Sequence, residues 1–165
     1  MLYRRRRRNT DYRHATQVHF KYLFHKRKKI FSQQRFFKEK PKHRFYMIDD
    51  ADNIVAHVAV HEKQVTVENK DYSIAGIAEV CVLPTHRKQG LVNKILSRIH
   101  QQLTDNKTDF SILFGDHCIY NSSGYQDVAN LTMYFDGQWK TVKAMARSIN
   151  TEWPTEEVRL TGLPF

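Results

Sequence analysis

From Ile54 onward the chain alternates. IVAHVAVHEKQVTV sets apolar residues at every second position, a period that predicts a strand. HRFYMI, starting at His43, precedes it across the turn-rich cluster Asp49–Asn53, so two antiparallel strands with a tight connection are expected. Glu68–Asp71 forms the next turn. SIAGIAEVCVL then turns apolar on both faces toward its end, the pattern of a strand central in a sheet. The period changes at Gln89. Leu91, Val92, Ile95, Leu96, Ile99 and Leu103 trace one face of a helix ending near Leu103. FSILFG reads as a short buried strand, and HCIYNSSGY as a polar turn or short helix stopped by Gly124. VANLTMYF and WKTVKAMA read as two more strands around the turn Asp136–Gly137. Upstream, Asn9–Asp11 can cap a helix over Tyr12–Phe24, and a second amphipathic helix follows from His25 to Lys40, before Pro41. Leu2–Arg8 is either a first strand or a disordered basic arm. The order predicts an α/β (α+β) domain, a mixed, mostly antiparallel central sheet flanked by helices, spanning 1–165 as one unit.

Charge divides this unit. Residues 1–45 carry 16 Lys and Arg against 2 Asp and Glu, a net +14, whereas residues 46–165 carry 11 against 15, a net −4. A nucleic-acid groove along the whole fold is therefore disfavoured, and any polyanion contact is confined to residues 1–45. No apolar run approaches the length that crosses a membrane, and no secretory pattern opens the chain. Cys81 and Cys118 belong to no CxxC or Cys/His ligand pattern, so reduced thiols and a cytoplasmic location are expected, with no metal site.

The candidate chemistry lies at LPTHRKQGLVNKIL, Leu83–Leu96. A strand ends, cations follow, and a helix begins at Gly90. A helix start offers unpaired N–H groups and partial positive charge, and a glycine lets a ligand approach the backbone. With Arg87 and Lys88 beside it, the turn suits a diphosphate. An ordinary basic helix start is the alternative. Neither GxxxxGK[ST] nor GxGxxG is present.

VCVLPTHRKQGLVNKIL resembles the acetyl-coenzyme-A signature of the GNAT superfamily of N-acetyltransferases, Arg/Gln-x-x-Gly-x-Gly/Ala. Arg87, Gly90 and Val92 fall on the marked positions, with Val92 departing from the small residue expected there. FSILFGDHCIYNSSGY resembles the family's following strand and FYxxxGF segment, with Tyr120 four residues before Gly124. The wording of PTHRKQGL, IYNSSGY and WPTEEVRLTGLPF is most similar to the enhanced-intracellular-survival and aminoglycoside-modifying branches. The resemblance covers residues 43–165 well and residues 1–42 loosely.

The resemblance implies acetyl transfer from acetyl-coenzyme A to a primary amine. Val80, Cys81 and Val82 would hold the pantetheine arm, and Arg87, Lys88, Gln89, Gly90, Leu91, Val92 and Asn93 the diphosphate. A backbone N–H near Val82 would stabilise the thioester oxygen. Tyr120 would be the general acid, a phenol protonated at neutral pH. Three bases compete: the Phe165 carboxylate, tucked in by the apolar ending LTGLPF; Glu79; and His117. Asp116, Asp127, Glu152, Glu156 and Glu157 fall where the acceptor pocket is expected, which favours a small polyamine-like or amino-sugar acceptor. The basic N-terminal quarter points instead to an acidic or phosphorylated one. The expected partner is a small-molecule amine, with a homodimer allowed and no membrane. A different class is the alternative: a non-catalytic module of the same fold that binds polyanions through residues 1–45.

Overall fold

The structure is a computed structural model that describes residues 2–4, 36 and 38–165. Its spine is a long hairpin, β3 (Ile54–Val67) and β4 (Lys70–Val82), closed by a two-residue turn at which Glu68 takes the left-handed conformation. β2 (His43–Ile48) pairs antiparallel with the first half of β3, and β1 (Leu2–Arg4) adds outside β2. Leu2–Arg4 thus form the first strand. Arg5–Arg8, the predicted helix over 12–24 and most of the second helix lie outside the described residues. Residues 36 and 38–40 are bends or irregular, so that helix does not reach Lys40. Pro41 disfavours helical backbone at Lys40, and Glu39 is drawn onto Lys63, 2.6 Å away.

Beyond β4 the chain makes a single 3₁₀ turn at Pro84–His86 and enters helix α1, Leu91–Asp105. The helix starts two residues later than the sequence suggests, because Lys88 and Gly90 are both left-handed and Gly90 is its N-cap. Leu91, Ile95, Leu96, Ile99 and Leu103 are buried against β2–β4, the face the periodicity marks. Truncating a fully buried one such as Ile95 to Ala should cost about 2–5 kcal/mol. β5 (Phe110–Leu113) pairs parallel with β4, which suits strands joined through a crossover helix.

After β5 come the one-turn helix α2 (His117–Tyr120), then β6 (Gln126–Val128), β7 (Leu131–Phe135), β8 (Gln138–Thr141), β9 (Ala144–Ser148) and β10 (Val158–Leu160). The strand order is β6-β9-β5-β4-β3-β10-β7-β8, with β2 and β1 beside the first half of β3. Only β4–β5 and β7–β10 pair in parallel among the described strands. The mixed, mostly antiparallel sheet is therefore as expected. Two expected strands each split. VANLTMYF breaks at Asn130, whose amide donates to the carbonyls of Pro154 and Glu156, and WKTVKAMA breaks at Val142–Lys143. The breaks send β6 and β9 to one side of β5 and β7 and β8 to the far edge. α1 covers one face of the sheet. The second face packs Val65, Ile74, Phe110, Ile112, Leu131 and Leu160 together.

Candidate active site

Two features of β4 build the site. Its ladder with β5 runs from Ile74 to Ile77 and stops, because β5 ends at Leu113. From Ala78 to Val82 the edge of β4 that faced β5 has no strand partner among the described residues, while its other edge continues along β3. In the same stretch the register against β3 jumps from Ala59↔Ala78 to His57↔Cys81, leaving Glu79 and Val80 opposite one residue. This is a β-bulge, and Glu79 adopts φ 49° there, uncommon for a residue with a side chain. The bulge re-aims the strand end: Val80, Val82 and Leu83 turn toward the core under α1.

The Glu79 carboxylate is buried, with 5% of its side chain exposed, and takes an ion pair from Arg44 Nη1 at 2.7 Å. Arg44 Nη1 also lies 3.0 Å from His57 Nε2, and His57 Nδ1 lies 3.0 Å from the Glu79 carbonyl. One tautomer satisfies both contacts: Nδ1–H donates to the carbonyl, and Nε2 accepts from Arg44. Sequence reasoning missed Arg44 and His57. The available signal was a polar residue at an inward position of an alternating strand.

Past β4, Arg87, Lys88, Gln89 and Gly90 are exposed. Among the described residues neither Arg87 nor Lys88 has an ion-pair partner. A Cβ built on Gly90 would meet nothing within 4 Å, so the backbone here is open to a ligand. Leu91 is a core side chain and Val92 packs against the core, which leaves only their backbone to the turn. The Asn93 amide ties α1 to the segment after α2: Nδ2 donates to Ser122 Oγ, and Oδ1 accepts from Ser123 Oγ, both at 3.1 Å.

α2 begins at Asp116, whose carboxylate accepts from the Cys118 N–H, and brings Tyr120 back against β5. A side chain at Gly115 would collide with the Tyr120 ring. The ring lines a cavity of about 440 Å³ shared with Glu79, Val80, His61, Phe114 and Phe165. Burial, and secondarily the neighbouring Cys81, raise the Tyr120 pKa, so it is a protonated phenol at neutral pH. Burial and Glu79 push the Cys81 thiol up to about 12, which keeps it protonated too. The Phe165 ring lies over Gly76, where a Cβ would overlap it, and packs against His61 and Phe114. Lys63 holds the preceding segment by donating to the Leu163 carbonyl at 2.8 Å.

A family model for the acetyltransferase (GNAT) domain matches residues 4–128, well over half of the chain. The chain belongs to the GNAT family. Solved GNAT structures share its fold. The N-acetyltransferase YhbS of Escherichia coli, in complex with CoA, aligns with a TM-score of 0.68 at 18% identity, covering 96% of this chain and 88% of its own. A GNAT acetyltransferase of Brucella melitensis, in complex with acetyl-CoA, aligns with a TM-score of 0.65 at 17% identity, covering 96% and 94%. An aminoglycoside acetyltransferase from an uncultured soil metagenomic sample gives 0.58 at 12%, covering 70% and 79%. No curated protein matches significantly.

Within this GNAT domain the five carboxylates expected around the acceptor lie elsewhere. None lines the cavity beside Tyr120. Asp116 caps α2, Asp127 pairs with His117 at 3.0 Å, and Glu157 pairs with Arg159 at 2.7 Å and accepts from Thr132. Glu152 and Glu156 are exposed. Nearness in sequence to Tyr120 and to the C-terminal segment did not translate into nearness to this cavity, because Asp127 lies on the edge strand β6 and the other four in turns or irregular segments. His117 likewise is half-exposed on its Asp127 pair and does not line the cavity. Among the described residues no helix is long and apolar enough to cross a membrane.

Proposed function

We propose that this GNAT domain transfers an acetyl group from acetyl-coenzyme A to a primary amine by direct attack, with Tyr120 as the general acid. The observation that carries the reading is the convergence of three features: the open edge of β4, the exposed cations of the Arg87–Gly90 turn, and the Tyr120 phenol in the cavity beside the bulge. The residues present fit the cofactor. A diphosphate matches Arg87, Lys88 and the N–H groups opening α1, and an amide-bearing arm matches the open edge of Val80, Cys81 and Val82. When bound, acetyl-coenzyme A supplies an acetyl thioester.

The rest is done by the chain. We assign the stabilisation of charge growing on a carbonyl oxygen to a backbone N–H at the end of β4, near Val82. Tyr120, protonated, donates to the leaving sulfur. Cys81, also protonated, is a poor nucleophile, which supports attack by the amine itself over an acyl-cysteine route. Glu79 lines the cavity and is the first choice of base, with the Phe165 carboxylate as its rival. On the wording of PTHRKQGL and IYNSSGY we place the chain nearest the enhanced-intracellular-survival and aminoglycoside-modifying branches.

Isothermal titration with acetyl-coenzyme A is the test of the donor site. The wild type should bind in the micromolar range, and Arg87→Ala/Gly90→Trp should not. Absence of binding by the wild type at high protein concentration would sink the reading. Glu79→Gln, followed by thiol release, separates the bases: a 10²-fold or greater fall in kcat at unchanged donor affinity would assign Glu79.

A further inference from the structure

The cavity beside Tyr120 is walled mainly by carbon. Ile77, Leu113, Met133 and Val142 line it, and Phe114 packs on Phe165 with ring centroids 5.1 Å apart. Phe114 and Phe135 are each 38% exposed, so these lining rings also meet solvent. Both side-chain carboxylates of the lining are ion-paired, Glu39 with Lys63 at 2.6 Å and Glu79 with Arg44 at 2.7 Å, and the third carboxylate, that of Phe165, is a candidate base for the reacting amine itself. Lys38 adds a cation to the same wall. A polyamine or an amino sugar brings further ammonium or hydroxyl groups, each of which needs a partner to replace its water. Here those groups would meet apolar side chains or a lysine.

His61 is the polar exception. It is 5% exposed, and its ring stacks on Phe165 at 6.0 Å with the planes 28° apart. Among the described residues neither ring nitrogen has a hydrogen-bond partner, and neither is fully sealed from solvent. Burial, then Lys63, lower its pKa to about 4, against a smaller opposing pull from Glu39. It therefore offers one donor and one acceptor at neutral pH. β3 places it opposite Gly76, three residues before Glu79 on β4. That is about 10 Å along the sheet at ~3.3 Å per residue, the far end of the cavity from the bulge.

We propose that the acceptor is a primary amine carrying one aromatic or branched apolar group, seated against Phe114, Phe165 and Met133, with His61 placed to hydrogen-bond a polar substituent on that group. This rests on the acetyl-transfer reading and names its substrate class. The Phe114–Phe165 pair offers ring faces and edges for stacking, and the volume suits one such group beside the reacting ends.

The test is thiol release by the full chain with acetyl-coenzyme A and four amines: tyramine, phenethylamine, spermidine and glucosamine. The two aromatic amines should exceed the other two in kcat/KM by about 100-fold. Tyramine should exceed phenethylamine by about tenfold, and His61→Phe should erase that difference. Phe135→Asp, at a partly exposed position that leaves the core intact, should lower tyramine turnover and raise that of spermidine. Calorimetry with tyramine on the CoA-loaded protein is run alongside. Equal or better turnover of spermidine or glucosamine overturns the proposal. So does failure of tyramine to bind while acetyl-coenzyme A still binds. Loss of acetyl-coenzyme A binding itself would strike the donor site instead, so the two failures are distinguishable. A tyramine preference that survives His61→Phe removes His61 from the assignment.

Discussion

The two ends of one strand, β4, present opposite solutions. At its C-terminal end lies the proposed donor side, with exposed cations, an open strand edge and a glycine facing solvent. Toward its middle lies the proposed acceptor side, where both lining glutamates are ion-paired and the rings of Phe114 and Phe165 pack together. The first end keeps its charges available. The second holds its glutamates in ion pairs within the protein, so we expect selectivity there to fall to shape and apolar area. The difference also explains how each end is encoded. The donor side is one contiguous run, Val80–Asn93. The acceptor side draws on β3, β4, β5, β7 and the C-terminal segment.

The largest expected effect breaks the chemistry and spares both ends. Tyr120→Phe should lower kcat by about 10²–10⁴ with donor affinity unchanged, read by steady-state kinetics and titration. Next, Arg87→Ala alone should raise the dissociation constant for acetyl-coenzyme A by about tenfold, since it removes a charge-assisted contact at an exposed position. Its melting temperature should stay within a degree or two. Gly76→Ala acts on the other end. It should displace Phe165, cost about 1–3 kcal/mol of stability, and raise the acceptor KM without changing donor affinity. An equal loss of donor affinity would show that the two ends are not separable.

The smallest effect is a pH dependence. His61 and His100 both have folded-state pKa values near 4, lowered chiefly by burial, with Lys63 and Arg147 respectively as the next cause. Unfolding restores the ordinary value of about 6.5. The unfolded chain therefore binds more protons between those limits, and stability falls as pH drops from 6.5 toward 4, by roughly 1.4 kcal/mol per pH unit for each histidine at the steepest. Above pH 6.5 neither contributes. Denaturant melts across this window, repeated on His100→Gln, should show a shallower slope in the variant.

Much of the fold, and the exposed basic turn after β4, is legible in the sequence alone. The period-two run of β3, the apolar face of α1 and the Arg87–Gly90 turn are local patterns, and local patterns survive folding. The short helical segment that carries Tyr120 is legible through its stop at Gly124. β10 is not, because three residues gain strand structure only by inserting between β3 and β7. The splits at Asn130 and Val142–Lys143 are equally hidden, since their cause is a choice of distant partners. The wall of the cavity beside Tyr120 is hidden for the same reason: none of the carboxylates near it in sequence lines it, whereas His61 and Met133 arrive from elsewhere in the sheet.

Glu79 carries a consequence for how this sequence can drift. Its left-handed backbone costs roughly 1–2 kcal/mol for a residue with a side chain. Gly or Asn would relax that backbone, yet either would take the carboxylate from Arg44 and leave a part-buried guanidinium without this partner. Asp keeps the charge and loses the reach. Single steps away from Glu79 therefore trade one penalty for another. The inheritable route out runs through paired changes at positions 44 and 79, which lie on different strands and must arrive together.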